Sequence, residues 1–157
     1  MALKKPRLAN IPVLDDNGYA TGTITEIEYE DEEESKYDDE RYLFSIVSSG
    51  SLKDIKFKFW TGLSVSPTKY SNAKIGKVDE YSNLTIICTR LKLVTIAEIK
   101  AIKSEEDFEK LNISEKLESL KGQLVRFKLT KGAKGTKSQD LSVVDIKTIE
   151  LLKVSES

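Results

Sequence analysis

Apolar and polar side chains alternate over several short stretches of the chain, which is the pattern of β-strands with one buried face. The clearest stretch is 55–60, where Ile55, Phe57 and Phe59 share one face while two lysines and a tryptophan share the other. We predict five strands, at residues 20–29, 41–48, 54–60, 123–130 and 141–152. The first three form an antiparallel meander, because short connections join neighbouring strands.

The first predicted strand changes its alternation part-way along. Its apolar positions slip by one residue between Ile24 and Ile27, and Gly22 lies just upstream, so we expect a β-bulge or a sharp coil. Residues 1–19 contain two of the three prolines. We interpret them as an N-terminal arm that packs loosely or pairs at a sheet edge, and 153–157 as a short tail.

A helical insert is predicted at residues 79–121. Apolar side chains recur at helical spacing over about 80–93, although several β-branched residues there keep a strand as the alternative. Residues 104–107 resemble a capping box, and a short helix is expected to start at Ser114 and to end before Gly122. The residues between the third strand and this insert, 63–80, are polar and rich in turn formers.

Three strands, a helical segment and two more strands follow each other in the order of an OB-fold. We therefore predict a mainly β fold with a helical insert, a five-stranded OB-fold-like barrel. It would occupy a single domain over residues 20–152. The size of the chain, 157 residues, suits one domain.

Composition narrows the function classes. The chain has no histidine and one cysteine, Cys88, so an intrachain disulfide and every catalytic arrangement that needs histidine are excluded. Cys88 lies among apolar neighbours and reads as a core residue. We expect a protein that is not an enzyme and that holds no metal and no cofactor.

Charge is strongly segregated along the chain. Residues 26–40 hold ten acids and one lysine, whereas the other 142 residues carry 24 basic and 16 acidic side chains, a net charge of +8. Like charges at this density repel each other, so 31–40 is predicted to be a loop between strands. A solvated loop, a decoy for the basic face and a docking strip for a basic partner all remain open.

The polar face of the 55–60 strand is the first candidate binding surface. Lys56 and Lys58 are cations that can contact phosphates, and Trp60, the only tryptophan, is a ring on which a base can stack. Tyr42 on the preceding strand is a weaker candidate, because it could join either face. The alternative is that the lysines only solubilise an outer face and Trp60 packs under the next connection.

The second candidate surface surrounds a predicted hairpin tip. Lys131, Lys134 and Lys137 lie there with two glycines, and Arg126 and Lys128 lie on the strand that leads into it. Glycine lets a phosphate approach the backbone, and the ammonium groups release counterions. A solvated hairpin tip is the alternative interpretation.

Short motifs in this order resemble small phage-encoded single-stranded DNA-binding proteins with an OB-fold. They are Lys-Phe-Trp-Thr-Gly at 58–62, Tyr-Ser-Asn-Leu-Thr at 81–85, Leu-Lys-Gly-Gln-Leu-Val at 120–125 and the Lys/Gly hairpin. The resemblance implies sequence-tolerant binding of single-stranded DNA in phage or mobile-element replication or recombination, alongside replication or recombination proteins. The acidic stretch lies between the first two strands, whereas many such proteins carry one at the C-terminus.

The rival hypothesis is a non-catalytic interaction module, a phage accessory factor that uses the acidic loop. No apolar run approaches the ~20 residues of a membrane span, so no membrane partner is expected. We expect a cytoplasmic location, in the host cell if the protein is phage-encoded. The choice between DNA and RNA, and whether copies of the chain form a homo-oligomer, stay open.

Overall fold

The computed structural model describes residues 3–31, 40–72, 77–130 and 143–152. The described chain contains nine strands and four short helices around one core. The strands are β1 (Ala20–Glu30), β2 (Arg41–Ser48), β3 (Ile55–Thr61), β4 (Tyr70–Asn72), β5 (Lys77–Glu80), β6 (Leu124–Phe127), β7 (Leu129–Thr130), β8 (Val143–Val144) and β9 (Glu150–Leu151). The helices are α1 (Asn83–Arg90), α2 (Ile96–Lys100), α3 (Glu105–Lys110) and α4 (Ile113–Glu118).

Seven of the described strands form one sheet in the order β7-β8-β3-β2-β1-β6-β9. Five of them, from β3 to β9 in this order, pair in antiparallel fashion, and β8 joins β3 in parallel. The predicted meander of the first three strands is confirmed. The sheet is not closed on itself, so the predicted OB-fold barrel stays a prediction.

The inner face of the sheet carries the aromatic part of the core. Phe44 and Phe59, neighbours on β2 and β3, stack with ring centroids 4.6 Å apart. Phe57 meets Phe127 of β6 edge to face at 5.7 Å. Each pair adds about 0.5–1.5 kcal/mol to the free energy of apolar burial. Ile55, Phe57 and Phe59 therefore lie on the inner side, as their alternation predicts.

The predicted bulge in β1 is confirmed. The pairing of β1 with β2 shifts register between Ile24 and Glu26, so Thr25 is the extra residue. Ile24 is fully buried before the shift, and Ile27 packs against the core after it. The bulge therefore moves the inward-facing positions from even to odd numbers, in step with the sequence.

Each of the last two predicted strands is divided in two, so the prediction of two continuous strands was wrong. Residues 123–130 form β6 and β7 on either side of Lys128, and 141–152 contain β8 and β9. The Lys128 N–H donates to the Thr148 hydroxyl at 2.9 Å, and its carbonyl accepts the Asp145 N–H at 2.9 Å. Because these bonds replace ladder bonds, the strand changes its partner at this residue.

The helical part of the insert extends over 83–118, and α1 confirms the helix predicted at about 80–93. The predicted cap at Ser104 is also confirmed, since its hydroxyl accepts the Asp107 N–H at 3.1 Å. Sequence reasoning missed α2 and the β4–β5 hairpin. A Thr95–Glu98 capping box, visible in the sequence, marks the start of α2. None of the helices in the described ranges is long and apolar enough to cross a membrane.

The N-terminal arm pairs with the turn between β2 and β3. The Asn10 side chain donates to the Lys53 carbonyl at 3.1 Å and accepts the Leu52 N–H at 2.9 Å. Ser51 donates its N–H to the Ile11 carbonyl at 2.8 Å, and the Val13 N–H bonds to the turn as well. Residues 10–13 are thus fixed to this end of the sheet.

Substitution of Gly22 tests how closely β1 and β2 approach each other. A Cβ at this position would lie 2.6 Å from the Ile46 Cγ2 and 2.8 Å from the Val47 carbonyl oxygen. We expect Gly22→Ala to lower the free energy of unfolding by about 1–3 kcal/mol, because the strand must shift. The matched control is Gly62→Ala, where a Cβ meets nothing within 4 Å. Chemical denaturation of both variants measures the difference, and equal stabilities would contradict this view of the packing.

Candidate nucleic-acid interface

The side of the sheet that faces away from the core is called the outer face here. Register and alternation place on it the following side chains of β1, β2, β3 and β6: Thr21, Thr23, Glu26, Glu28, Glu30, Arg41, Leu43, Ser45, Val47, Lys56, Lys58, Trp60, Leu124 and Arg126. The predicted residues of β3 and β6 thus share one surface.

Lys56 and Lys58 are exposed on this face. Lys58 pairs with Ser45 of β2, and Ser45 pairs in turn with Glu26 of β1. The neighbouring Glu28 is within electrostatic reach of both lysines, but a hydrogen bond and charge repulsion from Glu26 dominate and raise its pKa. Lys56 and Lys58 therefore lie near an acidic pair, Glu26 and Glu28 of β1. The sequence of β3 alone does not show this pair.

Trp60 is 40% exposed, and its ring is already engaged by a cation. The Arg41 guanidinium lies 5.1 Å from the ring centroid, and the indole N–H donates to the Glu30 carboxylate at 3.3 Å. Arg41 and Glu30 form an ion pair at 3.1 Å. Trp60 is thus held in a fixed orientation, with part of the ring open to solvent.

Tyr42 does not join this surface. It lies on the inner side of β2 and packs against the core, where it lines a groove together with Leu84, Phe108 and Ile113. The residue next to it, Leu43, is the one that pairs with Trp60 on the outer face. The weaker candidate of the sequence analysis is thereby separated from the others.

Arg126 and Lys128 converge on an aromatic ring that sequence reasoning missed. The Arg126 guanidinium lies 4.8 Å, and the Lys128 ammonium 5.2 Å, from the ring centroid of Tyr19. Arg126 also forms an ion pair with Glu150 of β9. Two predicted cations and an unpredicted tyrosine thus make one cluster, called the Tyr19 cluster.

A tight turn positions Tyr19. The Asp15 carboxylate accepts the N–H groups of Tyr19 at 2.9 Å and Asn17 at 2.8 Å, and Gly18 has a positive φ of 84°. The bond from Tyr19, followed by that from Asn17, lowers the pKa of Asp15, which is further lowered by the charge of Arg126. The Asp-Asp-Asn-Gly turn at 15–18 can be recognised in the sequence. The sequence does not show that this turn brings Tyr19 next to β6.

A groove rich in hydroxyl-bearing side chains lies between the two cationic groups. It has a volume of about 460 Å³ and is lined by Thr21, Gly22, Thr23, Thr25, Val47, Ser48, Ser49, Asp54 and Leu124. One row of paired residues crosses the sheet beneath the groove, from Leu124 of β6 through Thr23 of β1 and Val47 of β2 to Lys56 of β3. Three strand spacings of ~4.8 Å put the two ends of this row ~14 Å apart.

Three predicted cations, Lys131, Lys134 and Lys137, lie outside the described residues, as does most of the acidic run, 32–39. Within the described ranges, no three acidic or cysteine side chains gather as ligands for a metal ion. The surface thus offers cations, two accessible rings and a hydroxyl-rich groove. These groups suit the binding of a flexible polyanion with flat bases.

No family model, no curated protein and no solved structure matches this chain.

The single thiol gives a test of the core beneath this surface. Cys88 is fully buried in α1, and burial raises its pKa from 9.0 to about 12. At pH 8 the raised pKa makes the thiolate fraction of the native thiol about a thousandfold smaller than that of the unfolded chain, so we expect the native thiol to react far more slowly with a disulfide reagent. Ellman's reagent with and without denaturant measures both rates.

The same raised pKa has a consequence for stability. The neutral thiol favours the folded state fully below pH 9.0, and this contribution is lost as the pH rises towards 12. A fast native reaction at pH 8 would show that Cys88 is accessible and would contradict the packing of α1.

Proposed function

We propose that this protein binds single-stranded DNA without strict sequence preference, in phage or mobile-element replication or recombination. The observation that carries the proposal is the position of the Tyr19 cluster and of Lys56 and Lys58 at opposite ends of one groove. Cations at both ends attract the phosphate backbone, and the rings of Tyr19 and Trp60 stack on bases. The resemblance of the sequence motifs to phage single-stranded DNA-binding proteins supports the biological setting.

The proposal includes an OB-fold-like barrel. If β6 and β7 are taken as one strand bent at Lys128, that strand has β1 on one side and β8 on the other. Because β8 lies beside β3, the five barrel strands would then surround the core as a partly open Greek-key barrel. Strands two and three carry the ligand face in such barrels, and they correspond to β2 and β3 here.

Charge sets the path of the strand across the outer face. Glu26, Glu28 and Glu30 line the far part of β1 and repel phosphates, whereas Thr21 and Thr23 line the near part. The backbone therefore passes from the Tyr19 cluster to the lysines over the threonine-lined groove, whose lining includes one carboxylate, Asp54, against the three of the far part of β1. A base reaches Trp60 from the β3 side.

Lysine removal tests this path. We expect the double variant Lys56→Ala/Lys58→Ala to reduce the log–log salt slope of oligo-dT affinity by about 1.4, because two phosphate contacts are lost. The control, Lys103→Ala/Lys110→Ala, removes the same charge from exposed positions of the helical insert and leaves the slope unchanged. Anisotropy of labelled dT oligomers of increasing length, at several salt concentrations, measures affinity and site size together.

One further variant separates stacking from charge. Trp60→Ala should weaken binding by about 1–3 kcal/mol at every salt concentration, while the slope stays constant. In the intact protein, oligo-dT should quench the fluorescence of Trp60. Absence of binding at low salt, or an equal loss in the Lys103/Lys110 control, would overturn the proposal.

A second candidate is an interaction module that recruits a basic protein. It is favoured by Glu26, Glu28 and Glu30 of β1, which lie on the outer face and belong to the acidic run 26–40. Replacing residues 32–39 by a short glycine linker distinguishes the two. A DNA-binding protein keeps or gains affinity for oligo-dT when these charges are removed, whereas an interaction module loses its partner in a pull-down.

A further inference from the structure

A groove with both apolar and polar lining lies on the helical side of the molecule, away from the outer face. Two cavities of about 370 and 390 Å³ share Leu63, Val65 and Phe108 and so form one groove between α3, α4 and the segment after β3. It is called the α3 groove. Glu105 and Glu109, one helical turn apart on α3, stand at its rim.

The N-terminal arm has the opposite character. Residues 3–8 read Leu-Lys-Lys-Pro-Arg-Leu, with three cations and no acid. Leu3 is 96% and Leu8 78% exposed, and half of the large exposed apolar side chains in the described residues lie within 3–14. The arm therefore presents a run of exposed apolar side chains next to three positive charges.

We propose that the arm of one copy of this chain, residues 3–8, docks in the α3 groove of a second copy. Leu3 and Leu8 supply the apolar contacts with Phe108 and its neighbours. The three arm cations meet the acidic rim. The proposal does not depend on nucleic-acid binding.

The arm is too short to dock in the α3 groove of its own chain. Asn10 is fixed to the turn at 49–53, whereas the groove lies at the opposite end of the β2–β3 hairpin, beyond Thr61. The seven residues of β3 span about 23 Å. Leu8, two residues before Asn10, reaches only about 7 Å from it, so an arm docked over 3–8 must belong to another molecule.

The two kinds of contact in this complex respond differently to salt. Ionic contacts at the rim weaken with salt, while the leucine contacts do not. Arms exchanged reciprocally give a closed dimer, and arms passed on in one direction give chains. Both products depend on the same arm and the same groove.

Sedimentation equilibrium over about a hundredfold range of protein concentration, without nucleic acid, tests the proposal. The intact chain is expected to associate, and the chain without residues 2–8 to remain monomeric. Glu105→Lys/Glu109→Lys should weaken association by about tenfold or more. Glu106→Lys is the matched control, because it changes the same helix and does not line the groove.

The decisive experiment exchanges the charges of the arm and of the groove rim between two chains. Lys4→Glu/Lys5→Glu/Arg7→Glu on one chain and Glu105→Lys/Glu109→Lys on another should each weaken self-association by about tenfold or more, and mixing the two should restore it. A monomeric intact chain, association that survives loss of the arm, or a mixture that stays monomeric would overturn the proposal. Capture of an unrelated basic protein by an otherwise monomeric chain would assign the groove to a foreign partner instead.

Discussion

The change of strand partner at Lys128 is the constraint on which the rest of the sheet depends. Before this residue β6 pairs with β1, and after it β7 pairs with β8 at the other side of the strand order. The turn at 145–148 satisfies both peptide groups of Lys128, so the chain can leave one ladder and enter another without a buried orphan. The β6–β1 ladder before the change, with Ala20 opposite Phe127, brings Arg126 and Lys128 beside Tyr19.

Features with local causes could be predicted from the sequence. Alternation in β3 gave the correct inner and outer faces, and the slip between Ile24 and Ile27 gave the bulge, because both follow from side-chain geometry within one strand. The division of the last strands could not be predicted in this way. It depends on a hydrogen bond from Lys128 to Thr148, twenty residues away, which no periodicity contains.

The candidate site shows the same division between local and distant causes. Lys56, Lys58 and Trp60 were identified because they share one strand. Tyr19 and Arg41 were missed because they meet the other site residues through a turn and a cross-strand contact. The charge pattern was likewise incomplete, since only the register of β1 with β2 shows that glutamates of the acidic stretch face the same side as the lysines.

The bulge at Thr25 has a consequence for how this chain tolerates change. Glu26, Glu28 and Glu30 occupy even positions, which point inward in the part of β1 before the bulge. If the alternation ran on through Thr25 without a bulge, Glu26 and Glu28 would turn to the inner face and Ile27 would turn to the outer face. Deletion of Thr25 would leave a regular ladder with every other side chain of β1 on its present face, so charge burial lets the strand lose the extra residue but not straighten while Thr25 is present.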